Sequence, residues 1–252
     1  MYRSKKIGVV VPAFNEERFI GATLAGMPDW IDRIIVVDDA SQDNTAKIVE
    51  SAMILDSRIA LIRAKDQMGP GGAIMKGYEA FECEGSFQII AVMAGDNQMD
   101  PDDLPELLNP ICEKTAGYVK GTRFRHAHLH SIMPWSRYLG NRALSWVTSI
   151  ISGYSDIEDA QCGYTAIDNR LLQPVLRDGL VSGYGLPNAI LVLLGTMKVA
   201  MAQVPVKPIY RDEESGLNLI TVLRVYPLLL LRSWWSKTRI AAGAPANQKT
   251  GV

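Results

Sequence analysis

The sequence predicts an α/β protein whose mostly parallel sheet is covered by helices on both faces. In the first half of the chain, short apolar runs alternate with amphipathic stretches, which is the rhythm of strand–helix units in a parallel sheet. The apolar runs are rich in β-branched residues and too short for helices, as in IGVVV at 7–11. The 252 residues, 48% of them apolar, suffice for one large domain or two small ones.

The elements follow one another in a regular order. Four apolar segments are predicted to form strands, at residues 7–11, 33–37, 59–62 and 87–93. Four amphipathic segments are predicted to form helices, at about residues 17–27, 44–55, 71–83 and 102–114. Ser41 or Asp43 can cap the second helix because their oxygens accept unpaired N–H groups, and Pro101 suits the start of the fourth.

Composition excludes several classes of protein. Cys83, Cys112 and Cys162 are too far apart for a disulfide framework or a zinc cluster, and they suit a reducing compartment. The first residues lack the apolar core of a signal peptide, and no run of 18 apolar residues predicts a membrane span. The isoelectric point of about 6.3 and the lack of a nucleic-acid motif argue against a nucleic-acid partner.

The charges are unevenly distributed. Residues 114–155 contain six basic side chains and no acid, and residues 215–252 contain five basic side chains and no acid. We therefore expect anionic ligands to meet these two segments. The basic residues of the first segment are Lys114, Lys120, Arg123, Arg125, Arg137 and Arg142.

Polar side chains follow the predicted strands. The first strand is followed by Asn15 and Glu16, the second ends at Asp38 and Asp39, and Asp96 follows the fourth. Ligands of open parallel sheets bind beyond the carboxyl ends of the strands, so these residues are candidates for a site. The G-x-G-x-x-G spacing of dinucleotide-binding folds and the Walker loop are both missing from the sequence.

Six segments occur in the order of a known family. VVVPAFNEE, VVDDASQDNT, MGPGGAIMKGYEA, VMAGDNQMDPDDL, VKGTRF and EDAQCGY resemble the family 2 glycosyltransferases of the GT-A fold, over about residues 6–218. Within that family the chain is most similar to the dolichyl- and polyprenyl-phosphate sugar transferases. The resemblance implies one catalytic domain over 1–218, with a nucleotide-sugar-binding half at 1–121 and an acceptor half at 122–218.

For the donor, the resemblance implies a nucleoside pocket at the first two strand ends. Pro12, Phe14 and Glu16 would shape the pocket, and Asp38 and Asp39 would bind the base and ribose. The chemistry agrees, since carboxylates accept hydrogen bonds from hydroxyl and N–H groups. The alternative is that Asp38 is a turn residue and Asp39 is a helix cap.

The metal motif of the family is D-x-D-x-Q, and Ala94 stands here in the place of its first acid. The resemblance implies that Asp96 and Gln98 bind Mg²⁺ or Mn²⁺ together with the donor diphosphate. Magnesium commonly makes only one or two protein contacts, so this reduced set can suffice. Asp100 is a possible substitute ligand, but its place before Pro101 favours a helix cap.

For the acceptor, Gly121-Thr122-Arg123 matches the family's G-S-R, and Arg123, Arg137 and Asn141 are implied to bind the acceptor phosphate. A solvated basic loop is the alternative. A lipid phosphate is already ionised and needs no strong general base. In relatives that glycosylate a hydroxyl, an acid near this position serves as the general base, so the resemblance implies that Asp159 is either such a base or a residue that orders the acceptor loop.

Other residues of the acceptor half have less defined roles. Cys162 is expected to be a packed side chain rather than a nucleophile. The histidines at 126, 128 and 130 are expected to contact a headgroup or to be exposed, rather than to bind a metal. Arg211 is implied to close over the pyrophosphate, and Asn188 stands where many relatives have glutamate.

The final segment is predicted to meet a membrane. Residues 219–239 contain Tyr226, Trp234 and Trp235 among basic residues without acids, which is typical of a helix lying in the headgroup region. A core or dimer helix is the alternative. Residues 240–252 are predicted to be disordered.

The resemblance implies a peripheral enzyme on the cytoplasmic face of a membrane, working in glycan biosynthesis. By the same resemblance it would transfer a sugar from a GDP- or UDP-sugar to a polyprenyl or dolichyl phosphate, with metal dependence and inversion at the anomeric carbon. One alternative is a transferase of the same fold that acts on a saccharide hydroxyl. The other is a non-catalytic nucleotide-sugar-binding scaffold, which the missing acid at Ala94 suggests.

Overall fold

The structure is a computed structural model that describes residues 1–125, 133, 135–178 and 185–209, without the side chains of 136 and 137. The predictions for the three histidines, Arg211, 219–239 and 240–252 lie outside the described residues and stay predictions.

Seven strands of the described residues form one mixed sheet in the order β3-β2-β1-β4-β6-β5-β7. The strands β1–β4 are parallel, β6 runs antiparallel to β4 and β5, and β7 is parallel to β5. The predicted α/β class with a mostly parallel sheet is thus confirmed. The strands are β1 Ile7–Ala13, β2 Arg33–Asp38, β3 Ile59–Arg63, β4 Ile89–Val92, β5 Tyr118–Thr122, β6 Thr165–Asp168 and β7 Met201–Pro205.

Helices cover both faces of the sheet, because strand residues alternate between two cores. Val9 and Val11 of β1 face the core beneath α1, α2 and α4, whereas Val10 faces the core beneath α3, α6 and α7. The helices are α1 Ile20–Ala25, α2 Thr45–Leu55, α3 Gly69–Glu84, α4 Leu104–Cys112, α5 Trp135–Ser152, α6 Leu172–Arg177 and α7 Leu186–Thr196.

Two helix starts differ in detail from the sequence-based prediction. The first helix, predicted from about residue 17, begins at Ile20 because turns occupy the residues before it. The fourth is preceded by a 3₁₀ turn, Pro101–Asp103, whose start is capped by Asp100, as its position before Pro101 suggested. Asp43 accepts a hydrogen bond from the Thr45 N–H at the start of α2.

Small residues let α3 lie close to the sheet. A methyl group at Gly77 would come within 2.4 Å of a Val10 methyl carbon, and one at Gly8 within 2.3 Å of the Phe81 ring. These close approaches pack the second half of α3 against the first half of β1. None of the described helices is both long and apolar enough to cross a membrane.

Candidate active site

The ends of β1, β2 and β4 meet at one edge of the sheet. The Asp39 N–H donates to the Ala13 carbonyl at 2.9 Å, and the Gly95 N–H donates to the Pro12 carbonyl at 3.0 Å. The loop after each strand contains a non-glycine residue with positive φ: Asn15 at 55°, Ala40 at 62° and Asn97 at 55°. Such conformations are uncommon for residues with a Cβ atom and mark sharp, specified turns.

Hydrogen bonds join the first two of these loops. The Asn15 N–H donates to Ser41 Oγ at 2.9 Å, and the Glu16 N–H donates to Thr45 Oγ1 at 2.7 Å. Ser41 therefore joins the two loops and does not cap α2. Phe14, which is 39% exposed, is presented at this edge between half-buried Pro12 and Glu16. The structure thus brings together three residues that were predicted to shape a nucleoside pocket.

Asp38 and Asp39 are buried at the same edge, and both have partners within the protein. Asp38 accepts from the Ser41 N–H at 3.2 Å and lies 4.0 Å from Arg63 Nε. The Asp39 carboxylate accepts from the N–H groups of Met68 at 2.7 Å and Gly69 at 2.8 Å, at the start of α3. This is the capping role given above as the alternative for Asp39. Binding of base and ribose by these two residues stays a prediction.

A cavity of about 70 Å³ lies beside this edge. Asp96 and Gln98, the predicted metal ligands, line it together with Arg123, a predicted acceptor-phosphate residue. Asp96 Oδ1 accepts from the Gln98 N–H at 3.0 Å, which holds the turn that carries both side chains. Lys207 also lines the cavity and was not singled out from the sequence.

The residues at this cavity fit a hard divalent ion with few protein ligands. Asp96 supplies a carboxylate and Gln98 an amide oxygen, which suits an ion completed by water and diphosphate oxygens. Asp100 has partners within the protein, because its carboxylate accepts from the Asp102 N–H at 3.0 Å and from Lys207 Nζ at 2.7 Å, which agrees with its interpretation as a cap. Among the described residues, no group of three or more His, Cys, Asp or Glu side chains could hold a metal.

A buried ion-pair network lies behind the cavity. Asp159, with no exposed surface, accepts from Arg123 Nε at 2.7 Å and from Nη2 at 2.9 Å. Lys120 is also fully buried, and its ammonium donates to the Cys162 carbonyl. Arg123 is thus held by a bidentate pair that fixes the plane of its guanidinium.

This network determines what Asp159 can do. Burial by itself raises the pKa of Asp159, but Arg123 and Lys120 outweigh burial and hold the pKa below its usual value. A carboxylate with a lowered pKa that is bound to arginine is a poor general base. The geometry therefore favours the second interpretation of Asp159, in which it orders the acceptor loop. Burial is also the main cause that raises the pKa of the Cys162 thiol, in keeping with a packed side chain.

Several basic side chains of residues 114–155, which were expected to meet anionic ligands, are paired or buried within the protein. Arg125 forms a bidentate pair with Glu158, with its closest nitrogen–oxygen distance at 2.7 Å. Burial is the main cause that lowers the pKa of Lys120. Lys120 lies inside the strand YVKGT, all of whose residues are buried. Its position within this segment is the feature of the sequence that could have indicated its burial. The predicted acceptor residues Arg137 and Asn141 both belong to α5, one helical turn apart.

The comparisons with known proteins agree with this architecture. The family model for glycosyl transferase family 2 matches residues 8–165. A UDP-N-acetylglucosamine–dolichyl-phosphate N-acetylglucosaminyltransferase of Methanococcus voltae is 28% identical over 245 residues, covering 90% of this chain and 96% of that protein. An undecaprenyl-phosphate mannosyltransferase of Micrococcus luteus is 25% identical over 210 residues, covering 82% of this chain and 85% of that protein.

A solved structure shows the same fold. Glucosyl-3-phosphoglycerate synthase from Mycobacterium tuberculosis, in complex with Mn²⁺, UDP-glucose and phosphoglyceric acid, superposes with a TM-score of 0.66. The match covers 99% of this chain and 83% of that one at 20% identity, so the likeness is one of fold. The strand order, the polar strand ends and the family match over residues 8–165 lead to one conclusion. The chain is a GT-A-fold enzyme and belongs to the family 2 glycosyltransferases.

Proposed function

We propose that this glycosyltransferase transfers a sugar from a nucleoside diphosphate sugar, GDP- or UDP-linked, to a polyprenyl or dolichyl phosphate. The observation that carries the proposal is that one cavity is lined by Asp96, Gln98 and Arg123, the residues predicted to bind a metal and an acceptor phosphate. The relatives named above support the acceptor class, since their names contain dolichyl phosphate and undecaprenyl phosphate.

In this proposal Asp96 and Gln98 hold Mg²⁺ or Mn²⁺. The bound ion supplies Lewis acidity toward the leaving nucleoside diphosphate. Phe14 and Glu16, with Pro12, line the place of the nucleoside at the neighbouring strand ends. Asp38 and Asp39, at the end of β2, would bind the base and ribose, and Arg211 would close over the pyrophosphate.

Arg123 positions the acceptor in this proposal, with help from Arg137 and Asn141. Its guanidinium, oriented by Asp159, pairs with phosphate oxygens. One oxygen of the acceptor phosphate forms a bond to the anomeric carbon while the bond from that carbon to the diphosphate oxygen breaks. This single displacement inverts the anomeric centre. Since the attacking oxygen is already ionised, no proton has to be removed, and the lowered pKa of Asp159 suits this chemistry.

The acceptor also sets where the protein works. A polyprenyl phosphate is held in a bilayer, so we infer peripheral association with the cytoplasmic face of a membrane. Residues 219–239 are one predicted contact, as their tryptophans and basic residues suggest.

The test is transfer of radiolabel from a panel of GDP- and UDP-sugars into organic-extractable lipid. The full chain is incubated with polyprenyl phosphate, detergent and Mg²⁺ or Mn²⁺, with and without EDTA. Label in the organic phase that EDTA abolishes supports the proposal. Label found only in a water-soluble saccharide indicates a hydroxyl acceptor, and nucleotide-sugar binding without any transfer indicates a scaffold.

Matched variants make the test specific to the cavity. Asp96→Asn removes a carboxylate that lines the cavity, and we expect a loss of turnover of about 100-fold, as for other removed electrostatic contacts. Glu158→Gln is the control, because Glu158 pairs with half-exposed Arg125 and does not line the cavity. Equal activity in the two variants would refute the assignment of Asp96.

A further inference from the structure

Helix α5 exposes a row of large apolar side chains. Trp135, Leu139, Trp146 and Ile150 are 63%, 52%, 67% and 60% exposed, and Arg142 is exposed in the same row. We call these five residues the α5 face. Their spacings of three and four residues place them within one stripe of the helix. Exposed apolar patches of this kind mark interaction sites on soluble domains.

The opposite side of α5 is what holds the helix to the domain. Leu144, Ser145 and Thr148 are buried, and Thr148 Oγ1 donates to Asn188 Oδ1 of α7 at 3.3 Å. The α5 face lies on the other side of the helix and contacts the domain at its edge, where Arg142 lies over the Phe124 ring and Trp135 stacks on Tyr138. The large apolar side chains on this face, two of them tryptophan, are exposed to water, which is energetically unfavourable.

The charge of α5 restricts what can cover the face. The helix contains Arg137 and Arg142 and no acid, within the acid-free run of residues 114–155. Tryptophan and arginine are the residues that favour the boundary between lipid headgroups and acyl chains. An anionic surface complements this combination of charge and apolar area.

We propose that the α5 face docks onto the surface of an anionic bilayer. A second copy using the same face would bring the two Arg142 side chains together. The nearby acids, Asp156 and Glu158, lie in the groove beside the helix and not on the α5 face, and Glu158 is already paired with Arg125. The chain's own residues 215–252 carry five basic residues and no acid, so they offer no charge complement either. The bilayer is the occupant that satisfies both the apolar and the charged part of the face.

The α5 face adjoins the candidate active site through Phe124. The Phe124 ring lies 5.2 Å from the Tyr138 ring and 5.9 Å from Arg142 Cζ. Phe124 directly follows Arg123, which lines the cavity, and a groove of about 510 Å³ separates Phe124 from Trp146. Docking by this face would bring Arg123 near the headgroups. The inference that the cavity faces the headgroups rests on the proposed function, whereas the inference that the α5 face docks onto a bilayer does not.

The experiment measures sedimentation of the full chain with vesicles of phosphatidylcholine and phosphatidylglycerol that contain no polyprenyl phosphate. We expect Trp135→Ser combined with Trp146→Ser to lower the partition coefficient about 100-fold, roughly tenfold for each tryptophan. The matched control combines Ile54→Ser with Leu55→Ser, which are 85% and 89% exposed on α2. We expect this control to bind as the wild type does.

A second substitution tests the charge of the face. Arg142→Gln should lower binding about fivefold on vesicles with phosphatidylglycerol and leave binding to pure phosphatidylcholine unchanged. Thermal melting followed by circular dichroism checks that each variant is folded, which is expected because the replaced side chains are exposed.

The outcomes separate this inference from the proposed function. Vesicle binding by the double tryptophan variant equal to wild type overturns the inference and assigns binding to another segment, such as 219–239. A wild-type dimer that becomes monomeric in that variant overturns it in favour of a second copy. The proposed function is judged by turnover of a short, water-soluble prenyl phosphate without vesicles. Vesicle binding without any such turnover would refute the function and leave the docking inference standing.

Discussion

Replacement of Asp159 by asparagine should destabilise the protein strongly, although it only exchanges one carboxylate oxygen for an NH₂ group. In the wild type the buried carboxylate accepts three hydrogen bonds from Arg123, from the backbone N–H at 3.3 Å, Nε at 2.7 Å and Nη2 at 2.9 Å. Asparagine has only one acceptor oxygen in its side chain, so its NH₂ group would face an arginine donor. The fully buried ammonium of Lys120 would also lose its nearby anion.

The expected cost is about 3–5 kcal/mol, which is typical when one partner of a buried ion pair is removed. This is a large part of the total free energy of unfolding of an ordinary domain, which is about 5–15 kcal/mol. Urea unfolding followed by circular dichroism measures the loss. The matched control is Glu158→Gln at the preceding residue, whose pair with half-exposed Arg125 should cost about 1 kcal/mol or less. An Asp159→Asn cost no larger than that of the control would refute the buried network.

Lys120→Met tests the same network from its other cation. In the wild type this change removes the donor to the Cys162 carbonyl and should cost about 1–2 kcal/mol. In the Asp159→Asn background, Lys120→Met removes a buried ammonium whose neighbouring anion is already gone, so it should cost no stability or should stabilise the fold. The double-mutant cycle should therefore give a coupling of about 1–3 kcal/mol, and additive effects would contradict the proposed coupling.

The pH dependence has a defined sign. The folded pKa of Asp159 lies below its usual value, so the unfolded chain binds the proton more tightly. The stabilising contribution is complete above the unfolded pKa of about 3.9 and is lost as the pH falls through the folded pKa. Stability of the Asp159→Asn variant should consequently fall less steeply with acid than that of the wild type. Parallel acid titrations would contradict this assignment.

Three further predictions concern other parts of the fold and site. Gly195→Ala should lower the free energy of unfolding in urea by about 1–3 kcal/mol, although alanine has the better helix propensity, because the added Cβ atom would lie 2.0 Å from the Ser152 carbonyl oxygen. The control Gly140→Ala, with nothing within 4 Å of the added methyl group, should stabilise by up to about 1 kcal/mol, and equal effects of the two would refute the packing argument. Asp39→Ala should cost about 1–2 kcal/mol by leaving two N–H groups at the start of α3 unpaired, and an unchanged unfolding curve would exclude the capping role. Asp96→Asn should raise the Mn²⁺ concentration needed for half-maximal turnover about tenfold or more while the unfolding midpoint stays the same, and unchanged metal dependence would remove Asp96 from the ligand set.

The first half of the fold was predictable because its signals are local. Each strand of β1–β4 is a short apolar run, and the acidic and amide residues stand directly after the runs, so topology alone places them at one edge. The place of Asp96 and Gln98 follows from the same logic, whereas Arg123 follows β5, which was not among the predicted strands. The antiparallel β6 could not be predicted in this way, because strand direction depends on long-range pairing with β4 and β5.

The charge pattern was the least reliable guide, for a physical reason. A basic segment without local acids suggests available cations, but ion pairs form across the fold. Arg123 finds its partner 36 residues away at Asp159, Arg125 finds Glu158, and Lys120 is buried inside a strand. Counting charges along the chain cannot detect partners that only the tertiary structure brings close.

The pairing of Arg123 changes how its role should be understood. An unpaired arginine at a cavity would gain its orientation only when a phosphate bound, and would lose side-chain entropy at that moment. Arg123 is instead held in one plane by a carboxylate that has no exposed surface and whose pKa is lowered by the same pair. The energetic cost of ordering is thus met during folding, and the guanidinium is preorganised toward the cavity. On this argument Asp159 is a positioning residue, and Asp159→Glu, which keeps the charge but shifts it outward by one methylene group, should raise KM for the acceptor more than it lowers kcat. A general base in the same place would show the opposite pattern.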